Sequence, residues 1–175
     1  ATPLGVYVKS YTDIANGKFL GISWLIWIAI LVAVITWFIF NMTRHGKYMY
    51  AIGGNPQAAE VAGVPVKLTL ILIYMKAAAM YGLAGFMLGA KAGGASVNLG
   101  YGYEMEAIAA CTIGGVSVTG GRGKVSSAIL GVAVFELLKA ALQYLGVDAN
   151  AQYIAIGIVI FVAISLDIRK YVAKK

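Results

Sequence analysis

The chain has 175 residues, of which 61% are hydrophobic and only 12% charged, and its mean hydropathy is +0.82. A soluble domain carries about 25% charged residues, so this composition excludes an ordinary soluble fold and points to an all-α integral membrane protein. The net charge of +7 lies in loops and at the tail, without the interleaved aromatics of a nucleic-acid surface, so no nucleic acid is expected as a partner. The single cysteine (Cys111) and single histidine (His45), with no Ser/His/Asp set, exclude an intrachain disulfide, a metal site and a catalytic site, so the chain is not read as an enzyme.

Residues 1–20 show no clean helical stripe, and their glycines and Asn16 predict a loop with a short interfacial helix. They lack the basic-then-apolar order of a signal peptide, and a start at Ala1 reads as part of a longer protein. From Gly21 to Met42 the chain is uncharged, β-branched and aromatic, enough for a hydrocarbon core that needs roughly 20 residues. Trp24 and Trp27 near one end, and Trp37 nearer the other, fit interfacial anchors.

The longest polar stretch follows, from Thr43 to Lys67. Within it Gly53-Gly54-Asn55-Pro56 breaks the chain and Gln57 to Ala62 reads as a short helix. Pro56 suits the first helical turn, while Gly63 and Pro65 stop the helix. The second span is 68–90, with a G-x-x-x-G at Gly85–Gly89 that permits close helix contact, and with Lys76 placed to snorkel toward the basic loop. A glycine-rich loop runs from Lys91 to Tyr103. The segment 104–121 is short and rich in small residues, as interrupted segments buried at membrane depth are. Spans at 125–146 and 152–168 complete a polytopic helical bundle of about five crossings with one short or broken helix. Ser127-x-x-x-Gly131 marks a small-residue face, and Glu136 and Lys139 stand i,i+3.

Placing the 44–67 loop, the Arg122–Lys124 turn and the C-terminal tail on one side collects nine of the 14 Lys and Arg there, against three on the other side and two within spans. Cytoplasmic flanks are enriched in Lys and Arg, so that side is expected to be cytoplasmic, with the C-terminus inside and 91–103 outside. Parity then requires the 104–121 segment to cross.

The runs AIGGNPQAAEVAGVPV and NLGYGYEMEAIAACTIGGVSVTGGRGKV carry a resemblance to the membrane permeases of bacterial ABC sugar importers of the ribose/galactose group, and among them to the galactose/methyl-galactoside branch. The resemblance extends from about Phe38 to the C-terminus and makes residues 1–175 the C-terminal half of an importer transmembrane domain. It implies a multi-pass subunit of the bacterial inner membrane that binds no cofactor itself. ATP would be used by an ABC ATP-binding subunit, with a periplasmic sugar-binding protein and a second permease copy (a homodimer) as further partners in the bilayer. Gln57-Ala58-Ala59 with Gly63 resembles the E-A-A-x-x-x-G coupling signature, with Gln in place of Glu. Gly54, Asn55, Pro56, Gln57, Ala58, Ala59, Glu60 and Gly63 are thereby the expected ATPase-coupling loop, and Gly120–Gly123 offers a second cytoplasmic contact.

Asn98, Tyr103, Glu104 and Glu106 are the expected translocation-path residues, with Ser96 and Tyr101 as further polar groups. Lys76, Glu136 and Lys139 depart from the family wording, and Glu136 is expected to pair with Lys139 or Lys76. Two other readings stay open: an ABC permease for branched-chain amino acids, and a channel or secondary transporter independent of ATP, for which Glu136 is the candidate coupling carboxylate.

Overall fold

The computed structural model describes residues 4–5 and 9–172. The readings made for residues 1–3, 6–8 and 173–175, the last two lysines of the tail among them, lie outside the described residues. Helix α1 (Lys9–Asn16) precedes a hairpin of β2 (Lys18–Phe19) and β3 (Ile22–Ser23). Leu20 and Gly21 turn that hairpin with φ of 54° and 80°, the two positive φ values that a two-residue turn requires to match strand twist. The pair β1 (Leu4–Gly5) and β4 (Gly94–Ala95) ties the start of the chain to the loop after the second long helix.

The long apolar helices are α2 (Trp24–Met42), α5 (Val66–Ala92), α7 (Val125–Tyr144) and α8 (Ala149–Val172). Three of them, α2, α5 and α7, are long and apolar enough to cross a membrane, and α8 holds a shorter apolar stretch, Asn150–Ser165. Their bounds fall close to the four expected spans. The fifth segment is a broken helix. It is helical only as α6 (Tyr103–Ile113), and 11 residues at 1.5 Å each extend about 16 Å, roughly half a hydrocarbon core. Residues 114–124 continue without regular structure, because the glycines at 115, 120, 121 and 123 all adopt positive φ, where an L side chain is strained and a helix cannot propagate.

Helices α6, α7 and α8 pack together around Ala109, Ala110, Phe135 and Ile156, with Ile113 and Ile160 against them. Helix α7 crosses α6 at glycine. A methyl at Gly131 would meet the carbonyl of Ala110 and lie 2.6 Å from the Gly114 nitrogen, and a methyl at Gly114 would meet the Ser127 carbonyl. The small-residue face expected at Ser127–Gly131 is therefore the α6 contact, and Ala110 and Gly114 form its other side.

The G-x-x-x-G of α5 behaves differently. A methyl at Gly85 would meet nothing within 4 Å, and one at Gly89 would lie 2.6 Å from the Tyr11 hydroxyl. That hydroxyl donates to the Phe86 carbonyl at 2.7 Å, and the two rings meet edge-on at 4.9 Å. The motif thus seats the short α1 rather than a second long helix. At the same end, Phe19 stacks on Trp24 at 5.4 Å and accepts a hydrogen bond from Trp27 Nε1 at 3.3 Å, which fixes the hairpin against the start of α2.

Candidate functional site

Between α2 and α5 lie two short helices, α3 (Arg44–Gly54) and α4 (Pro56–Val61). Thr43 separates α2 from α3. Its hydroxyl donates to the Ile39 carbonyl at 2.6 Å and accepts from the Gly46 N–H at 3.1 Å, so one side chain closes one helix and caps the next. Asn55 does the same one step on: its N–H bonds the Ala51 carbonyl at 3.0 Å, and its Oδ1 accepts from the Ala58 N–H at 3.0 Å. Pro56 occupies the first turn of α4, where its missing N–H leaves no bond unmade. Gly63 ends the helix with φ of 81°. Its N–H bonds the Glu60 carbonyl, and the Val64 N–H bonds the Ala59 carbonyl, both at 3.0 Å, the paired pattern of a glycine-terminated helix.

The result is a rigid elbow. Ala59 is buried at 4% exposure while Val61 is 91% exposed, and Gln57, Ala58 and Glu60 also face outward. The α4 helix lies on α3 and the start of α5, so its outer face is free to receive another surface and its inner face is fixed.

Sequence reasoning treated the second glycine-rich turn, 120–123, as separate from this elbow. The structure joins them. A methyl at Gly53 would lie 2.5 Å from the Gly121 nitrogen, one at Gly120 would lie 2.7 Å from the Gly53 carbonyl oxygen, and one at Gly121 would lie 2.7 Å from the Gly54 nitrogen. Tyr50 adds a hydrogen bond from its hydroxyl to the Gly123 carbonyl at 2.8 Å. The signal was present in the paired G-G dipeptides, but nothing in a linear sequence says that two such pairs meet.

The expected pathway residues do not form one cluster. Asn98 sits in an exposed turn, its carbonyl accepting from Tyr101 N–H at 3.1 Å. Glu104 is exposed at the first turn of α6. Tyr103 lines an open cleft of about 470 Å³ with Leu25, Tyr81, Leu88, Lys91 and Leu99. Glu106 instead faces α7, where it takes the Lys139 ammonium at 2.7 Å, with both side chains about a fifth exposed. Glu136 is 4.0 Å from that ammonium and 61% exposed. The pairing expected of Glu136 with Lys139 is present as the longer, more exposed contact, but the closer partner of Lys139 is Glu106, one helix away, because α6 and α7 cross at glycine and bring their side chains within reach.

Lys76 is half-buried on α5 and, with Met49 of α3 and Thr36, Ile39 and Phe40 of α2, lines a cavity of about 230 Å³. It lies near His45. Burial, and then the charge of Lys76, hold the imidazole below its ordinary value of 6.5, and its Nε2 is buried without a hydrogen-bond partner. A further cavity of about 630 Å³, lined by Thr112, Gly115, Ser117 and Arg122 on one side and Ile158 and Val162 of α8 on the other, was not anticipated. Its volume falls in the range of small-molecule sites, but only the folding back of 114–124 onto α8 creates it.

The described residues thus form a helical bundle with a capped surface elbow between two long apolar helices. Over residues 5–164 the chain matches the family described as branched-chain amino acid transport system / permease component, and it belongs to that family. It is 40% identical to the galactose/methyl galactoside import permease of Haemophilus influenzae over 99% of this chain and 53% of that protein. The corresponding Escherichia coli protein is also 40% identical, over 100% of this chain and 53% of its own length. The ribose import permease of Bacillus subtilis is 38% identical over 89% of this chain and 48% of its length. The chain therefore spans about half the length of these relatives. No solved structure matches it.

Proposed function

We propose that the chain forms part of the permease subunit of an ATP-driven importer of the bacterial inner membrane, and that the cargo is a monosaccharide of the galactose or ribose type. The carrying observation is the α3–α4 elbow: an exposed, doubly capped short helix with one buried alanine, set between two membrane-length helices. Its sequence resembles a coupling signature, and its relatives are named as sugar import permeases. In this reading the elbow and the C-terminus are cytoplasmic, as the excess of Lys and Arg on that side supports. An ATP-binding subunit receives the outer face of α4, a periplasmic sugar-binding protein delivers cargo to the opposite side, and a second permease copy completes the pathway.

The mechanism follows from stiffness. The Asn55 cap and its hydrogen bond to Ala51 leave α4 no soft joint with α3, so closure of the ATP-binding subunits displaces these two together and exchanges outward for inward access. The permease does no covalent chemistry. Cargo is held weakly by amide, hydroxyl, aromatic and carboxylate groups such as those of Asn98, Tyr103 and Glu104, since tight binding would stall release. The family description names branched-chain amino acids, whereas the three relatives above are named for sugars, and the proposal follows the relatives.

The test is co-purification of the full-length permease with its ATP-binding subunit, alongside uptake of galactose, ribose and leucine. Ala59→Asp places a charge where 4% of the residue is exposed, and Gly63→Arg puts a side chain at a φ of 81°. Both are expected to release the ATP-binding subunit while the permease stays folded. Absence of any such partner from the parent protein would remove the importer reading, and uptake of leucine alone would remove the sugar.

A further inference from the structure

The elbow is not a free lever, because it is pressed, backbone against backbone, onto the turn that joins α6 to α7. We propose that the contact of Gly53 and Gly54 with Gly120 and Gly121 is the point through which motion of the elbow reaches the half-helix α6. This rests on the coupling role proposed above and assigns positioning residues that the coupling signature does not contain. Four glycines meet where any Cβ would fall within 2.7 Å of a backbone atom of the facing strand of chain (for Gly53, Gly120 and Gly121). Such an approach has no side chain to yield, so displacement of one side must displace the other.

The turn is itself braced. The Ser117 N–H bonds the Arg122 carbonyl at 3.1 Å and the Gly120 N–H bonds the Ser117 carbonyl at 3.3 Å. Val116 packs on the Gly123 position, within 3.2 Å of where a Cβ would stand, and the Tyr50 hydroxyl holds the Gly123 carbonyl from α3. Beyond the turn, Gly114 at the end of α6 and Ser127 on the first turn of α7 are in the close crossing already described. The route from the elbow to α6 therefore runs mainly through backbone contacts, with the Tyr50 hydroxyl and Val116 bracing the turn. At the far end of α6 stand Tyr103 and Glu104, so a shift of the turn carries the expected cargo-facing residues with it. The α5 helix, by comparison, faces α3 across a cavity lined by side chains, Met49 on one side and Ile73, Lys76 and Met80 on the other.

Gly53→Ala is the informative variant, since alanine is intrinsically a better helix former than glycine and any harm must come from the facing turn. Gly82→Ala, in the interior of α5 with nothing within 4 Å of the added methyl, is the control. In the reconstituted complex with its ATP-binding subunit and binding protein, Gly53→Ala is expected to keep the subunit bound. Its ratio of binding-protein-stimulated to basal ATP hydrolysis should fall by about tenfold. Gly82→Ala should keep the parent ratio. An unchanged ratio in Gly53→Ala would overturn the proposal, and failure of the parent to bind an ATP-binding subunit would instead overturn the coupling role beneath it.

A second measurement needs no glycine variant. Spin labels replace the exposed Lys47, Lys124 and Tyr81, with Cys111→Ser to leave only these sites. Between nucleotide-free and ATP-trapped states the Lys47–Lys124 distance should stay constant while Lys124–Tyr81 changes. A change in the first distance, or none in either, would sink the proposal.

Discussion

The two parts of this molecule are held together in opposite ways. In α6–α8 the contacts run along the helices: Ala109, Ala110, Phe135 and Ile156 are buried at mid-helix, and α6 meets α7 through backbone at Gly114 and Gly131. In α2–α5 the apolar windows of the two long helices bury nothing, and the order lies at their ends, in the elbow on one side and in α1 with its hairpin on the other. In a bilayer, lipid tails cover exposed leucines and isoleucines as well as protein does, so apolarity alone does not bring helices together and close packing must. One part has that packing within this chain. The other presents long apolar faces, including the groove between α2 and α7 lined by Ile30, Val34 and Ile129.

The contrast is sharpest at glycine. Gly131→Leu drives a side chain into the backbone of α6 and is expected to destabilise the protein by about 3 kcal/mol. Gly82→Leu, on a helix where nothing stands within 4 Å, should change stability little. Thermal unfolding in detergent followed by size-exclusion chromatography separates them, and equal losses would show that α5 is packed as closely as α7. A smaller effect is expected at the ion pair. Lys139→Met leaves Glu106 without its partner at a site only about a fifth exposed and should cost roughly 2 kcal/mol. Adding Glu106→Gln should recover most of that loss. Glu136→Gln, at 61% exposure and 4.0 Å, should cost under about 0.5 kcal/mol, and a larger loss there would restore Glu136 as the structural partner.

The smallest effect lies in the end-held part. Burial and Lys76 hold the His45 imidazole below its ordinary 6.5, so below that pH the unfolded chain binds a proton that the folded chain resists. Stability contributed at His45 is present above 6.5 and is lost as pH falls from there through the lowered folded value. Hydrogen-exchange protection of residues 44–54, measured against the intrinsic base-catalysed rate at each pH, should fall over this range, and His45→Gln should flatten the response. An unchanged pH dependence in that variant would assign the effect to another group.

Much of this was legible in the sequence where the cause is local. The caps at Asn55 and Gly63, the proline at 56 and the apolar runs of α2, α5, α7 and α8 each follow from residue type and spacing, which is why their bounds were placed to within a few residues. The α4 part of the elbow was legible for the same reason, whereas α3, helical over Arg44–Gly54, was expected as loop. The destination of a small residue was not. Ser127–Gly131 and Gly85–Gly89 read alike, yet one receives α6 and the other receives Tyr11. Glu136 and Lys139 stand one turn apart, and the ammonium nevertheless turns to Glu106 on another helix.

The sequence by itself determined which stretches are apolar enough to span, where they start and stop, and that a rigid short helix sits between two of them. These depend on propensity, capping and hydropathy, which act over a few residues. The tertiary structure alone decided which glycines meet, which carboxylate Lys139 takes, and that the elbow rests on the 120–123 turn. These depend on distances between residues far apart in the chain, at Gly53 and Gly121 or Glu106 and Lys139, and such distances are set only when the helices have crossed.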